Sequence, residues 1–397
     1  MDWHLVGLGL GVAFIGYTYL GYGVLMAGLA RLVGRAPSHT SRLPRVSLII
    51  AACDEAAILE GKLQNTLALD YPADLLEVIV AADGSRDGTV AVAERFRAAG
   101  VRVLHEPARR GKNHAVNRAV ACASGEIVVL SDANAFYRED ALRMLVRNFG
   151  DERVALVAGA KRVVGEGQAA AEAEGLYWRY ESWLKVADSR VSSVLGAAGE
   201  ILAVRRSAWL PPPEGVVIED FWLTLALLRQ GHRAVYEPEA VATELGAPAM
   251  ADEWERRVRI SAGGWQALVD HRELLSPRWG LLAFQLWSHR VARWVVVPPL
   301  LPLLAWLTWT SQPAPVARLL GGLELAAVAL AAVGWALERL GLSARSTTLP
   351  YWLLMTNAAA LAGAWRFWTR QQPAAWARVR RTAGVPATTP CPQRRPR

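Results

Sequence analysis

Cysteine is nearly absent, with Cys53, Cys122 and Cys391 the only three in 397 residues. So few and such scattered thiols exclude a cysteine metal cluster, and the first two fall in apolar runs, where packing in a reducing compartment is the expected role. Also missing are an internal repeat, a nucleic-acid motif and a Walker loop, because Gly111-Lys112 is followed by Asn113 rather than Ser or Thr. A nucleoside triphosphatase is thereby disfavoured. The net charge of +8 would suit nucleic acid, but many arginines flank apolar runs or fill the tail "RVRRTAGVPATTPCPQRRPR". That pattern fits anionic lipid headgroups better, and no nucleic-acid partner is expected.

What the chain has in abundance is apolar surface, at 53% of its residues. The uncharged run Leu5 to Ala30 is long enough to cross a bilayer and lacks the short core and basic start of a cleaved signal, so it reads as a retained anchor. No strand precedes its Gly7, Gly9 and Gly11, which points to close helix packing rather than a dinucleotide loop. Arg31, Arg35, Arg42 and Arg45 follow, and the positive-inside rule places the next domain in the cytoplasm. Further apolar runs cover Val295 to Thr310, Val316 to Leu337 and Leu349 to Trp368, each near spanning length. Before them, Trp279, Trp287 and Trp294 mixed with His289, Arg290 and Arg293 predict a helix lying in the membrane interface. The expected organisation is an anchor over 1–34, a cytoplasmic α/β domain over 35–276, an interface helix over 277–294, about three membrane helices over 295–370 and a basic tail over 371–397. Three crossings after a cytoplasmic domain would put that tail outside, against the charge rule.

Between Val46 and Gly159, short apolar strands alternate with amphipathic helices: "VSLIIAA", "LLEVIVAA", "VRVLHE", "EIVVLS" and "RVALVAG". This is the rhythm of a mostly parallel sheet flanked by helices, and such sheets bind ligands at the carboxyl ends of their strands. Acids stand at three of those ends: Asp54 and Glu55, Asp83, and Asp132. Together they suit hydroxyls, base edges and a hard divalent cation, although Asp83 and Asp87 in their Gly-rich turn read equally well as turn or cap residues. Gly111 and Lys112 open a helix toward the same crevice and make an anion site. Glu219 and Asp220 precede a long helix, where capping alone would account for them. Arg256, Arg257 and Arg259 suit a pyrophosphate or, alternatively, lipid headgroups.

In order, "AACDE", "DGSRDGT", "GKNHAVNRA", "SDAN", "GAAGEILAVRR", "IED" and "RRVRISAGGWQ" resemble the membrane-bound, inverting family 2 glycosyltransferases of the GT-A fold, relatives of the cellulose and hyaluronan synthases. The resemblance implies that Asp54, Glu55 and Asp83 hold base and ribose of a nucleotide sugar, with a UDP-sugar the expected donor. Lys112, Arg256 and Arg259 would face its diphosphate, and Asp132 with Asn134 would hold Mg²⁺ or Mn²⁺. Asp220 would be the general base, with Glu219 orienting it or a glycan or lipid-linked acceptor. Independently of the resemblance, the Tyr- and Trp-rich segment "EGLYWRYESWLKVADSRVSSVLGAAGE" is expected to line the acceptor site, since aromatic faces pack against sugar rings, with core packing an equal expectation for most of its aromatics.

Two departures stand out. Asn134 replaces the second Asp of the usual Asp-x-Asp, bringing an oxygen without a charge. At Arg256 to Ile260 the family's Gln-x-x-Arg-Trp lacks both Gln and Trp, which counts against extrusion of a long polymer. The implied activity is a multi-pass, cell-membrane glycosyltransferase in polysaccharide or glycolipid synthesis. A non-catalytic scaffold subunit is the alternative, and a nucleotidyltransferase is a second rival.

Overall fold

The computed structural model describes residues 2–164, 169–245, 250–311, 314–342 and 344–373, so Cys391 and most of the basic tail lie outside the described residues. Eight strands form one sheet: β1 (Val46–Ala52), β2 (Leu76–Asp83), β3 (Val101–Glu106), β4 (Ile127–Asp132), β5 (Phe136–Tyr137), β6 (Val154–Val164), β7 (Leu202–Arg205) and β8 (Arg233–Leu245), in the order β3-β2-β1-β4-β7-β6-β8-β5. The four strands from β3 to β4 are mutually parallel. β7 runs antiparallel to both β4 and β6, and β6 pairs parallel with β8. Alternation along the strands explains why both faces are covered. Leu48, Ile50, Val78, Val80, Ile127 and Val129 enter one core, beneath Leu59, Leu63 and Leu145. Ile49, Ile79, Val128 and Leu130 enter the other, beneath Val116, Val120 and Phe221.

The register brings three strand ends level. Ala51 pairs with Ala81 on one side and Asp132 on the other, so Asp54, Asp83 and Asp132 emerge along one edge. β7 and β8 follow segments that carry no clear period-2 signal, and they were not expected. They supply the floor on the far side of β4.

Three helices are long and apolar enough to cross a membrane: Trp3–Leu32, Leu281–Thr310 and Pro315–Arg339. Large apolar side chains point outward from them, among them Leu10, Leu20, Trp306, Leu319 and Leu323, the reverse of a helix facing water. Gly11 packs the first against the second so closely that a Cβ would lie 2.3 Å from Leu304 Cδ2. Gly7 also faces that helix, while Gly9 faces open space, so helix packing accounts for two of the three glycines.

The interface helix expected over 277–294 is instead continuous with the following span. Within it, Leu286–Val296 is π-helical and buries His289, Arg290 and Arg293 rather than presenting them to headgroups. The cause lies on the helix Ala169–Val191, whose Glu181 and Asp188 pair with them: Arg290 at 2.9 Å and Arg293 at 3.0 Å from Glu181, His289 at 2.7 Å from Asp188. Trp287 alone of that group stays well exposed, at 48%.

The last helix, Arg345–Trp368, is not among the three spanning candidates of the described residues. It packs along the helix Met250–Asp270, where Gly363 meets Ser261, Arg257 stacks over Trp352 and Trp265 stacks on Phe367.

Candidate active site

At the strand ends a cavity of about 230 Å³ gathers Asp54, Glu55, Lys112, Asp132, Asn134, Glu219, Asp220, Arg256 and Arg259, all the expected site residues except Asp83. Asp83 lies behind the wall. Its two oxygens accept the backbone N–H groups of Arg110 and Gly111, both at 2.8 Å, and so hold the loop that leads into the helix Lys112–Ala121. Gly84, at φ +57°, lies so close to that loop that a Cβ would come within 2.7 Å of the Arg109 backbone. Asp83 is therefore a loop anchor in this structure, and Asp87 is a turn residue whose oxygens take the amides of Thr89 and Ala56. Asp54 adopts φ +55° and accepts the Arg86 amide at 2.8 Å, so the two acidic turns brace each other.

Lys112 is the electrostatic centre. Its ammonium lies 2.8 Å from Asp132 Oδ1 and 2.5 Å from Glu219 Oε1. Burial alone would push it down, but the charges of Asp132 and Glu219 outweigh burial and hold it above the ordinary lysine range. Glu219 stays below the usual carboxylate range because Lys112 more than offsets its desolvation. Asp220 goes the other way. Burial first, then the charges of Glu219 and Glu200, push it up to about 6. It occupies the second position of the helix Glu219–Arg229, and its oxygens accept Gly199 N at 3.0 Å and Phe221 N at 2.7 Å. Two adjacent carboxylates are thus pushed apart in acidity, one locked in an ion pair and one poised near neutral pH, an arrangement suited to acid/base work.

Gly263 and Gly264 explain how Arg259 reaches this cavity. A Cβ on the first would lie 2.8 Å from Ile218, so a glycine there lets the helix Met250–Asp270 close on the Glu219 segment, and a Cβ on the second would lie 2.4 Å from Trp294, so a glycine there lets it close on the second membrane helix. Arg256 and Arg257 are not spare cations for a diphosphate. Arg256 pairs with Glu253 at 2.7 Å and, closer still, with Glu174, while Arg257 pairs with Glu253 at 2.6 Å and lies over the Tyr177 ring. Arg259 is the arginine of this group whose companions in the cavity are Glu219, Asp220 and Asp132.

The residues fit a divalent cation in part. Among the described residues no cluster of three or more His, Cys, Asp or Glu forms a preformed cage. Asn134 Oδ1, however, is a buried oxygen without a hydrogen-bond partner among the described residues, two positions from Asp132. Asp132 and Asn134 would supply two oxygens and the ligand's phosphates the rest, the usual arrangement for Mg²⁺.

Asn134 also answers a local constraint. Its Nδ2 donates to Glu244 at 3.3 Å, and Glu244 is pushed up to about 7 by burial and by Glu200, against the opposing pull of Lys161. An aspartate at 134 would set a third carboxylate against that one. Asn134→Asp is expected to lower the melting temperature in chelator and to recover it in Mn²⁺, read by paired thermal melts. A variant more stable than wild type in chelator would refute the argument.

Several lining residues carry no mark in the sequence. Lys161 is buried against Glu200 at 2.7 Å and still closer to Glu244, and Lys62 supports the Asp132 turn by donating to Ala135 O at 2.5 Å. Tyr177 and Trp178 line the cavity as expected of the aromatic segment, whereas Tyr180 and Trp183 pack on the first membrane helix. Cys53 lines the cavity and Cys122 is exposed, so packing does not account for the latter.

Residues 47–208 match the family model for glycosyl transferase family 2. That segment is a glycosyl transferase family 2 domain. The glycosyltransferase domain and its membrane helices together superpose on a mannosyltransferase from Pyrobaculum calidifontis solved with GDP-Man and Mn²⁺, with a TM-score of 0.71, 24% identity and coverage of 92% of this chain and 99% of that one. The fold is thus the GT-A type. Among curated relatives, the Beta-monoglucosyldiacylglycerol synthase of Trichormus variabilis is 27% identical over 359 residues, 81% of this chain and 73% of its own. Poly-beta-1,6-N-acetyl-D-glucosamine synthases of Staphylococcus aureus are 24% identical over 237 residues, 58% of this chain. This chain spans about 57% of the length of those staphylococcal relatives.

Proposed function

We propose that the protein is an inverting, metal-dependent glycosyltransferase that moves a sugar from a nucleotide sugar, a UDP-sugar first among candidates, to a hydroxyl of a glycan or lipid-linked acceptor. The observation that carries this reading is the split pair Glu219 and Asp220 beside Lys112, Asp132 and Arg259 in one cavity. A scaffold subunit has no use for a carboxylate held near neutral acidity at a cleft, and the relatives named above are synthases of a polysaccharide and a glycolipid. The solved neighbour's Mn²⁺ supports a divalent cation here.

In this scheme Asp220 accepts the proton of the acceptor hydroxyl as its oxygen attacks the anomeric carbon, and the bond from that carbon to the diphosphate breaks on the opposite face, giving inversion. Lys112 and Arg259 balance the departing diphosphate, and the helix beginning at Lys112 presents its positive end to it. A cation held by Asp132 and Asn134 would supply further charge stabilisation to the same group. Glu219, tied to Lys112, keeps that lysine in place. The decisive test is a panel of nucleotide sugars offered to the purified full chain in lipid with Mg²⁺ or Mn²⁺, measuring nucleoside diphosphate release. Release above background for one donor is expected. None for any donor and acceptor would return the scaffold reading.

The reading includes a place in the cell membrane with the catalytic domain cytoplasmic, supported by the arginines after the first span. On this reading the two later candidate spans cross the membrane and the Arg345–Trp368 helix, which packs against Met250–Asp270, does not, an arrangement that keeps the tail on the side the charge rule favours. Reporters fused after Arg45 and after Pro373 are expected to report the same, cytoplasmic side. Opposite sides would mean that the last helix crosses the membrane.

A further inference from the structure

The mechanism leaves several buried cations unused. Lys185, on the helix Ala169–Val191, is 2% exposed and lines the cavity, yet its ammonium has no hydrogen bond or ion pair among the described residues. The Trp178 and Tyr236 rings lie at 5.1 and 5.6 Å, and the carboxylates whose charges reach it, Glu181, Asp220 and Glu200, make no direct pair with it among the described residues. Arg290, from the second membrane helix, lines the same wall. It is 5% exposed, lies over Trp294 at 5.2 Å, and its Nε–H has no partner among the described residues. Arg293 lies beyond it. Arg290 and Arg293 share Glu181 with His289, whose other ring nitrogen holds Asp188 together with the Tyr22 hydroxyl, at 2.7 and 2.5 Å, so neither acid is left for a direct pair with Lys185. A buried charge with no direct partner costs stability unless an anion joins it. Ring contacts offset part of that cost.

We propose that Lys185 and Arg290 form a second anion-binding subsite at the membrane end of the cavity, which takes a phosphate-type group of the acceptor. Asp220 borders both ends. Through Gly199 it neighbours Lys112, where an added Cβ would lie 3.5 Å from the ammonium and 3.6 Å from Asp220. The ring of the next residue, Phe221, lies 5.9 Å from the Arg290 guanidinium and 5.3 Å from Trp294. A hydroxyl brought to Asp220 from the membrane side therefore passes Arg290 and Lys185, and an anion near that hydroxyl is held by both. Assigning the anion to the acceptor rests on the glycosyl-transfer reading, whereas the subsite itself does not.

The test is a binding measurement that needs no donor and no turnover, so its failure is distinct from that of the proposed function. Full-length wild type and Lys185→Met in neutral detergent are melted across a titration of inorganic phosphate at constant ionic strength. Phosphate at the donor end meets Lys112 in both proteins, so the difference isolates this subsite. Wild type is expected to gain about 2–4 °C more than the variant. Without phosphate, Lys185→Met is expected to melt at or above wild type, because it removes a buried charge that has no direct partner. Lys185→Gln provides the same comparison if Met perturbs folding. A second arm replaces phosphate by micelles doped with phosphatidylglycerol. A wild-type gain there at far lower bulk concentration identifies a lipid headgroup as the source, and an equal gain identifies a soluble phosphate. Superimposed curves for wild type and the neutral variants in both arms overturn the proposal.

Discussion

Asp220→Asn is expected to lower turnover by roughly 10²- to 10⁴-fold while leaving the melting temperature close to that of wild type. Two opposing effects set the stability. The carboxylate accepts both Gly199 N and Phe221 N, so an amide leaves one of them without an acceptor, at about 1–3 kcal/mol. Against this, the ionised carboxylate is disfavoured by burial and by Glu219 and Glu200, and a rise to about 6 makes its charge cost on the order of 3 kcal/mol above that pH. Loss of the charge offsets loss of the bond.

The sign can be checked against pH. Because the folded pKa lies above the unfolded one, Asp220 favours folding below the unfolded value, and that contribution is lost as pH rises through about 6. Asp220→Asn should therefore gain stability relative to wild type across that interval. In kinetics, wild-type kcat/KM should fall as pH drops through about 6, and the residual activity of the variant should lack that limb. Nucleoside diphosphate affinity should hardly move. If turnover stayed near normal, Asp220 would be a structural residue of the helix start, and suspicion would pass to Glu219, a weaker base because Lys112 holds it ionised.

The donor end of this site was legible because its signals are local. A parallel strand ending in an acid, as β4 does at Asp132, and a helix opening on Gly111-Lys112 each announce their direction within a few residues. What the sequence could not display is which charges cancel. Arg256 and Arg259 lie three positions apart and looked alike, yet Glu253 and Glu174 neutralise the first while the second faces the cavity. Asp83 sits at a strand end like Asp132, but loop amides 27 and 28 residues away occupy both its oxygens. His289, Arg290 and Arg293 fit the pattern of an interfacial helix until Glu181 and Asp188, more than 100 residues earlier, draw them inside. The β7 and β8 strands were hidden for a related reason, since their pairing partners β4 and β6 come from the first half of the chain.

Asp132→Ala should abolish measurable nucleotide-sugar turnover, a loss of about 10³-fold or more, because the diphosphate would lose the carboxylate that anchors its counterion. The choice of residue matters. Lys112→Ala would leave Asp132 and Glu219 facing one another without their shared cation, an uncompensated buried pair costing about 3–5 kcal/mol, so lost activity could not be separated from unfolding. Removing Asp132 instead leaves Lys112 still paired with Glu219 at 2.5 Å, and the melting temperature should change little. Three measurements on one sample then decide the matter: melting temperature, Mn²⁺ affinity in the presence of nucleoside diphosphate, and turnover. The expected result is a near-native melt with weakened Mn²⁺ binding and no turnover, matched by wild type in excess chelator. Wild-type turnover that survived chelator, together with an active Asp132→Ala, would leave Asp132 only as the structural partner of Lys112 and shift the balancing of the diphosphate to Lys112, Arg259 and the helix start.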